Sequence, residues 1–149
     1  MKRLIVLIAF ALIVAVPASQ ASVPSTINGL RTKLERSEAT KQQRKRQYLT
    51  NVDLYSLRRG KTLEATLQFG TFREDAPVGS RKFQRSIAGQ LGSTIPIEQR
   101  VGGLTLYLAK AKSLTLVAWF RGRTLAILSI RANYTTPKTL IRNALDVQP

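Results

Sequence analysis

The sequence contains no cysteine and no histidine. No disulfide can brace the fold, and no thiolate or imidazole is available to ligate zinc, copper or haem iron. The side chain that most often moves protons at neutral pH is also missing. Acidic residues are scarce: Asp and Glu total 8 against 24 Lys and Arg, for a formal charge of +16. No acidic loop offers the clustered oxygens that calcium or magnesium requires. No apolar run reaches the roughly 20 residues of a comfortable membrane span.

These absences remove most routes to catalysis. Without histidine, a serine nucleophile would need a lysine base, and no Ser-x-x-Lys occurs. Thr135-Thr136-Pro137-Lys138 has that spacing but reads as a helix start. A glycosidic carboxylate pair would have to come from Glu35, Glu38, Asp53, Glu64, Glu74, Asp75, Glu98 and Asp146. The adjacent Glu74 and Asp75 do not make the facing pair that such chemistry uses. Gly60-Lys61-Thr62 copies the tail of a phosphate-binding loop, but Tyr55 stands where the upstream glycine belongs, and a strand follows instead of a helix. The expectation is a noncatalytic protein with no cofactor and no metal.

What is present begins with an export signal. Lys2 and Arg3 precede the apolar run Leu4–Val16, then Pro17 and Ala18-Ser19-Gln20-Ala21. Small residues at Ser19 and Ala21 fit cleavage after Ala21, with Ala18 as an alternative. An uncleaved N-terminal membrane anchor is the competing reading. Without cysteine there is no lipid-attachment site. Exported small domains usually carry disulfides, so their absence favours a bacterial secreted, periplasmic or cell-envelope protein. The chain divides into a signal peptide (1–21), a basic linker or frayed helix (22–49) and a single α+β domain (50–149).

Ser22–Gly29 reads as a linker. Leu30–Gln47 is the most basic segment, holding Arg31, Lys33, Arg36, Lys41, Arg44, Lys45 and Arg46, and shows no sustained apolar stripe; it reads as a frayed helix or flexible arm. Val52–Leu57 is a first strand. Leu63, Ala65, Leu67 and Phe69 alternate with Thr62, Glu64, Thr66 and Gln68, which predicts a second strand and a hairpin turning at Gly60. Ser80 caps a helix from about Arg81 to Leu91, with Phe83, Ile87 and Leu91 on its buried face. Ser93–Arg100 is a connector.

Leu104–Arg131 holds three runs of Leu, Val, Ile and aromatics separated by short basic or glycine-containing turns, which read as three antiparallel strands. The last two are apolar on both faces and should be central and covered on both sides, with Trp119 and Phe120 most simply core. Pro137 opens a terminal helix capped by Thr136, with Leu140, Ile141, Ala144 and Leu145 as its stripe. The expected fold is α+β: an antiparallel sheet of about five strands in the order β-β-α-β-β-β-α, with helices packed on it.

The charge implies an anionic partner or surface, or simply strong solubility. The candidate contacts are Arg31, Arg36, Arg44, Lys45, Arg46, Arg58, Arg59, Arg81, Lys82, Arg85, Arg121 and Arg123. In an exported protein the commoner anions are membrane surfaces and other envelope components. Nucleic acid is the alternative, since Lys and Arg would give salt-sensitive, sequence-tolerant binding, but no nucleic-acid module motif is present. Nothing identifies a protein partner. The turns Lys110–Lys112 and Arg121–Arg123 and the basic arm are the expected contact regions.

Val117-Ala118-Trp119-Phe120, Arg121-Gly122-Arg123, Leu125–Ile130 and Thr136-Pro137…Leu140-Ile141…Ala144-Leu145 form a connected pattern. It resembles the last part of small bacterial extracytoplasmic sensor or accessory domains, and in outline the PsbP/Mog1-like meander fold. The resemblance covers about the C-terminal quarter of the chain. It implies a noncatalytic envelope role and carries over no functional residue.

Overall fold

The computed structural model describes residues 23–149; the signal peptide expected over 1–21 lies outside the described residues. The chain runs β1 (Thr26–Ile27), β2 (Leu30–Arg36), α1 (Lys41–Arg46), β3 (Leu49–Arg59), β4 (Thr62–Phe72), α2 (Arg81–Gly89), β5 (Ile97–Val101), β6 (Leu104–Ala111), β7 (Leu114–Arg121), β8 (Thr124–Arg131) and α3 (Pro137–Leu145). All strands join one antiparallel sheet in the order β1-β2-β3-β4-β8-β7-β6-β5. Two meanders therefore meet at the β4–β8 seam.

This corrects the expected five-stranded α+β fold. The described residues are 47% strand and 19% helix, in one eight-stranded sheet with three short helices. The added strands come from segments read as linker, arm and connector. Leu30–Arg36 is a strand, and the helix in the basic segment is confined to Lys41–Arg46. Ile97–Val101, inside the expected connector, pairs with β6. The boundary drawn at residue 50 falls within β3.

The turns explain the tight topology. Five hairpins turn through two residues, with left-handed backbone at Asn28 (φ 51), Gly60 (φ 58), Gly102 (φ 54), Lys112 (φ 51) and Gly122 (φ 53). Backbone of this hand at the first turn position matches the twist of the flanking strands.

The alternation read from the sequence sorts the core. Ala65, Leu67, Phe69, Leu106, Val117, Trp119, Ala126, Leu128 and Ile130 lie in one buried cluster with Leu140, Ala144 and Leu145 of α3. Leu49, Val52, Tyr107, Ala118, Leu125 and Ile127 lie in a second cluster with Ile87 and Ala88 of α2. α3 covers one face and α2 part of the other. β7 and β8 are apolar on both faces because each contributes to both clusters. Asp53, Phe69, Ala126, Trp119 and Leu106 form one continuous cross-strand row, so strand ends on one side of this row share one end of the sheet.

Local chemistry sets the helix starts. Thr40 and Gln43 make a reciprocal capping box on α1, satisfying two otherwise orphan amides. Ser80 accepts from the Phe83 amide at 3.4 Å and starts α2. Thr136 stands at the N-cap of α3 but makes no side-chain cap bond; its hydroxyl instead accepts from Asn28 at 3.3 Å. Asn28 also donates to the Tyr134 hydroxyl at 2.9 Å, which ties the first hairpin to the start of α3.

Candidate anion-binding surface and the Glu98 clamp

The strand register divides the candidate cations between the two ends of the sheet. One end carries the β3–β4 and β6–β7 hairpin tips. Arg58, Arg59 and Lys61 sit at the first, Lys110 and Lys112 at the second, and Arg31, Lys33 and Arg131 at strand positions nearby. From β2 to β6 this basic rim crosses five strand spacings, roughly 24 Å. The carboxylates at this end, among the described residues, are Glu35 and Glu64. Glu35 pairs with Lys33 at 3.5 Å, and Glu64 lies 3.9 Å from Arg59. The Ser56 hydroxyl donates to Glu35 at 2.7 Å and is the main cause of its lowered pKa.

Arg31 lies directly opposite Arg58 across β2 and β3. Like charges in that position destabilise a strand pair unless something neutralises them. Arg58 donates to the Lys61 carbonyl at 3.0 Å, which holds its guanidinium over the hairpin tip.

The other end of the sheet holds Arg44, Lys45 and Arg46 on α1, Arg81 and Lys82 at the start of α2, and the β7–β8 turn with Arg121 and Arg123. It is one β3 length away from the rim, roughly 33 Å for eleven residues. The turns Lys110–Lys112 and Arg121–Arg123 are thus at opposite ends of the sheet and cannot form one patch. Tyr48 links α1 to α2, with its ring 5.8 Å from Phe83 and Arg73 stacked over it at 4.9 Å.

Several of the candidate cations already have partners. Arg121 is half-buried and donates to the Leu145 carbonyl at 2.5 Å, where a cation complements the C-terminal end of α3. Arg123 donates to the Phe72 carbonyl at 3.4 Å, beside the β7–β8 turn. Arg36 lies mid-sheet at a register shift between β2 and β3. Its Nε is buried without a hydrogen-bond partner, which nothing else in the structure explains.

Arg81 and Arg85, spaced one helical turn apart on α2, close on Glu98 of β5. Arg81 meets Glu98 at 2.5 Å through Nη2 and 3.2 Å through Nε, and Arg85 bonds the other carboxylate oxygen. The Arg85 bond, then the Arg81 bond, pull the Glu98 carboxyl down to about 2, and the pairing raises Arg85. Sequence reading places Arg81 and Arg85 among the candidate anion contacts and Glu98 among the carboxylates available for a glycosidic pair. Their meeting depends on the α2–β5 crossover, which no local spacing reveals.

The clamp borders an open cleft of about 750 Å³, lined by Arg85, Ser93, Thr94, Ile95, Glu98 and Tyr107. The Tyr107 hydroxyl donates to Gln84 Oε1 at 3.1 Å, and burial raises its pKa. At neutral pH Glu98 is an ionised, doubly held carboxylate and Tyr107 a protonated phenol. Neither is poised to exchange a proton near pH 7. Among the described residues no group of His, Cys, Asp and Glu could hold a metal ion.

The clamp predicts a pH signature. Because the folded carboxyl titrates below its ordinary 4.5, its contribution is complete above that value and is lost as pH falls toward about 2. Glu98→Gln removes the charge at every pH. Denaturant midpoints of the two proteins should therefore differ most at neutral pH and converge as the solution is acidified through that window. A difference that stays constant through it would show that the carboxylate is not held this way.

No protein family, curated protein or solved structure is matched by the chain.

Proposed function

We propose that the protein is an exported, noncatalytic envelope protein that binds an anionic surface, such as anionic lipid, through the basic rim. The observation that carries this reading is the rim's excess of cations over its carboxylates Glu35 and Glu64. Arg31 faces Arg58, and two hairpin tips present Arg59, Lys61, Lys110 and Lys112 beyond them. Such a row of flexible cations meets a charged plane without a shaped pocket. Each Lys or Arg held near an anionic membrane contributes about 1 kcal/mol, and salt screens the attraction. The leader sequence supports delivery to such a surface. No helix of the described residues is long and apolar enough to cross a membrane, so on this reading the mature domain docks by charge.

Flotation or sedimentation with vesicles of anionic and of zwitterionic phospholipid, across a salt series, tests this. Wild type should bind the anionic vesicles and lose them as salt rises. Replacing Arg58, Arg59, Lys61, Lys110 and Lys112 together with glutamine should weaken binding on the order of a thousand-fold or more, at about 1 kcal/mol per cation. Replacing Lys41, Lys45 and Arg46 at the other end should change it far less. Retention indifferent to salt, or a rim variant that binds like wild type, would overturn the reading. Salt-dependent binding to duplex DNA with none to vesicles would transfer it to a nucleic-acid binder.

A further inference from the structure

The two edges of the sheet differ. β1 has two residues and packs beside α3, so that edge is short and covered. β5 is the other edge, and its outward row of amides and carbonyls has no strand beside it. Natural edge strands are usually protected by charged side chains, most of all lysine, by proline, by a bulge or by an overlying segment. β5 reads Ile97-Glu98-Gln99-Arg100-Val101, with Pro96 before it and no lysine within it. Ile97 is 72% exposed and Val101 37%. Val101 lines an apolar groove of about 350 Å³ between β5, β6 and α3, with Gln99, Leu106, Leu108 and Ile141.

The sequence of β5 says what fits there. Turned end for end about Gln99, it complements itself. Ile97 then faces Val101 of a second copy, Glu98 faces Arg100, and Gln99 faces its own equivalent. Centring on Glu98 or Arg100 instead would set like charges against each other. A two-fold axis normal to the sheet keeps opposed residues on the same face. The Ile97 and Val101 side chains would then extend the apolar strip beside α3, while the charges pair on the α2 face. Arg100 has no ion-pair partner among the described residues, and the second copy's Glu98, whose oxygens keep lone pairs beyond those engaged by Arg81 and Arg85, would accept from it. We infer that the chain forms a homodimer by antiparallel β5–β5 pairing centred on Gln99, joining two eight-stranded sheets into one.

This inference is independent of the anion-binding rim, which lies away from Gln99 at the end of the sheet. The absence of cysteine makes the test direct. In directly opposed antiparallel pairs the Cα atoms are about 4.5–5.5 Å apart, within the span of a disulfide. Gln99→Cys should therefore cross-link into a covalent dimer when diamide oxidises the two thiols, and faster than Ser113→Cys at the β6–β7 turn. Sedimentation equilibrium of the chain as isolated from expressing cells should show a reversible monomer–dimer equilibrium. Arg100→Glu, which sets Glu98 against an acid twice per dimer, should weaken that equilibrium about tenfold or more. Ile97→Lys should weaken it independently. Circular dichroism would confirm that both variants are folded. A monomer at every accessible concentration, equal cross-linking at Gln99→Cys and Ser113→Cys, or occupation of the β5 edge by a different chain would overturn the inference.

Discussion

Leu30→Ala should lower the stability of the fold by about 2–5 kcal/mol, the range for removing a fully buried leucine side chain and leaving a cavity. Leu30 is 0% exposed. It belongs to the cluster that includes Ile27, Leu57, Leu67, Leu140 and Ala144, so it is a contact point between the first hairpin and α3. A domain of this size commonly has about 5–15 kcal/mol of net stability, so the loss would be a large share of the total. Chemical denaturation followed by circular dichroism would measure it as a lower midpoint at unchanged slope. If residues 22–49 were an arm outside the fold, the same change would fall within about 0.5 kcal/mol of wild type, as for exposed positions generally. Removal of the chain before β3 is the stronger form of this prediction. It would strip β3 of its neighbour, uncover Leu57 and leave an unprotected edge; cooperative unfolding should be lost. A truncated chain that unfolds cooperatively near the wild-type midpoint would refute this account of the first hairpin.

The difference between arm and strand shows what made parts of this fold legible. β4, β6, β7 and β8 bury one or both faces, and burial writes itself into the sequence as alternation or as a continuous apolar run. β2 and β5 lie at or next to the edges of the sheet. Arg31, Lys33 and Glu35 on β2, and Glu98 and Arg100 on β5, point where no core selects apolar residues, so the period-two signal is weak. The remaining signals were in the turns: Asn28-Gly29 between Ile27 and Leu30 is a strong hairpin dipeptide, and Gly102-Gly103 closes β5 onto β6. α1 buries no residue and so shows no stripe, yet Thr40 and Gln43 have capping-box spacing.

The candidate site divides along the same line. The cations themselves were plain, but their grouping follows from strand order and register, which are long-range facts. One part was within reach: consecutive hairpin turns lie one strand apart, so Lys110–Lys112 and Arg121–Arg123 had to fall at opposite ends of β7. The Glu98 clamp was out of reach, because it needs α2 and β5 laid side by side. The rim and the clamp also use charge in opposite ways. At the clamp, two guanidiniums are spent on one carboxylate and fix α2 against the β5 edge. At the rim, cations outnumber carboxylates.

The centre of the sheet should respond most to Trp119→Ala, with a loss of about 3–5 kcal/mol. Trp119 is 1% exposed and stands in register between Leu106 on β6 and Ala126 on β8. Its cluster includes Phe69 from β4 and Leu145 and Val147 from the C-terminal segment. The ring sits among these side chains, and close-packed surroundings relax only partly into the space it leaves. Phe120, one residue on, provides the internal comparison. It points to the α2 face, is half-buried, and stacks on Phe72 at 6.0 Å and edge-on to Tyr107 at 5.8 Å. Its neighbours at the open end of the strand can close up, so Phe120→Ala should cost less than Trp119→Ala. Because Trp119 is the sole tryptophan, both variants should be followed by far-ultraviolet circular dichroism instead of indole fluorescence. Trp119→Phe, which keeps most of the volume, should recover more than half of the loss. A cost below about 1 kcal/mol for Trp119→Ala, or one no greater than that of Phe120→Ala, would contradict a core built on the two covered faces of β7 and β8.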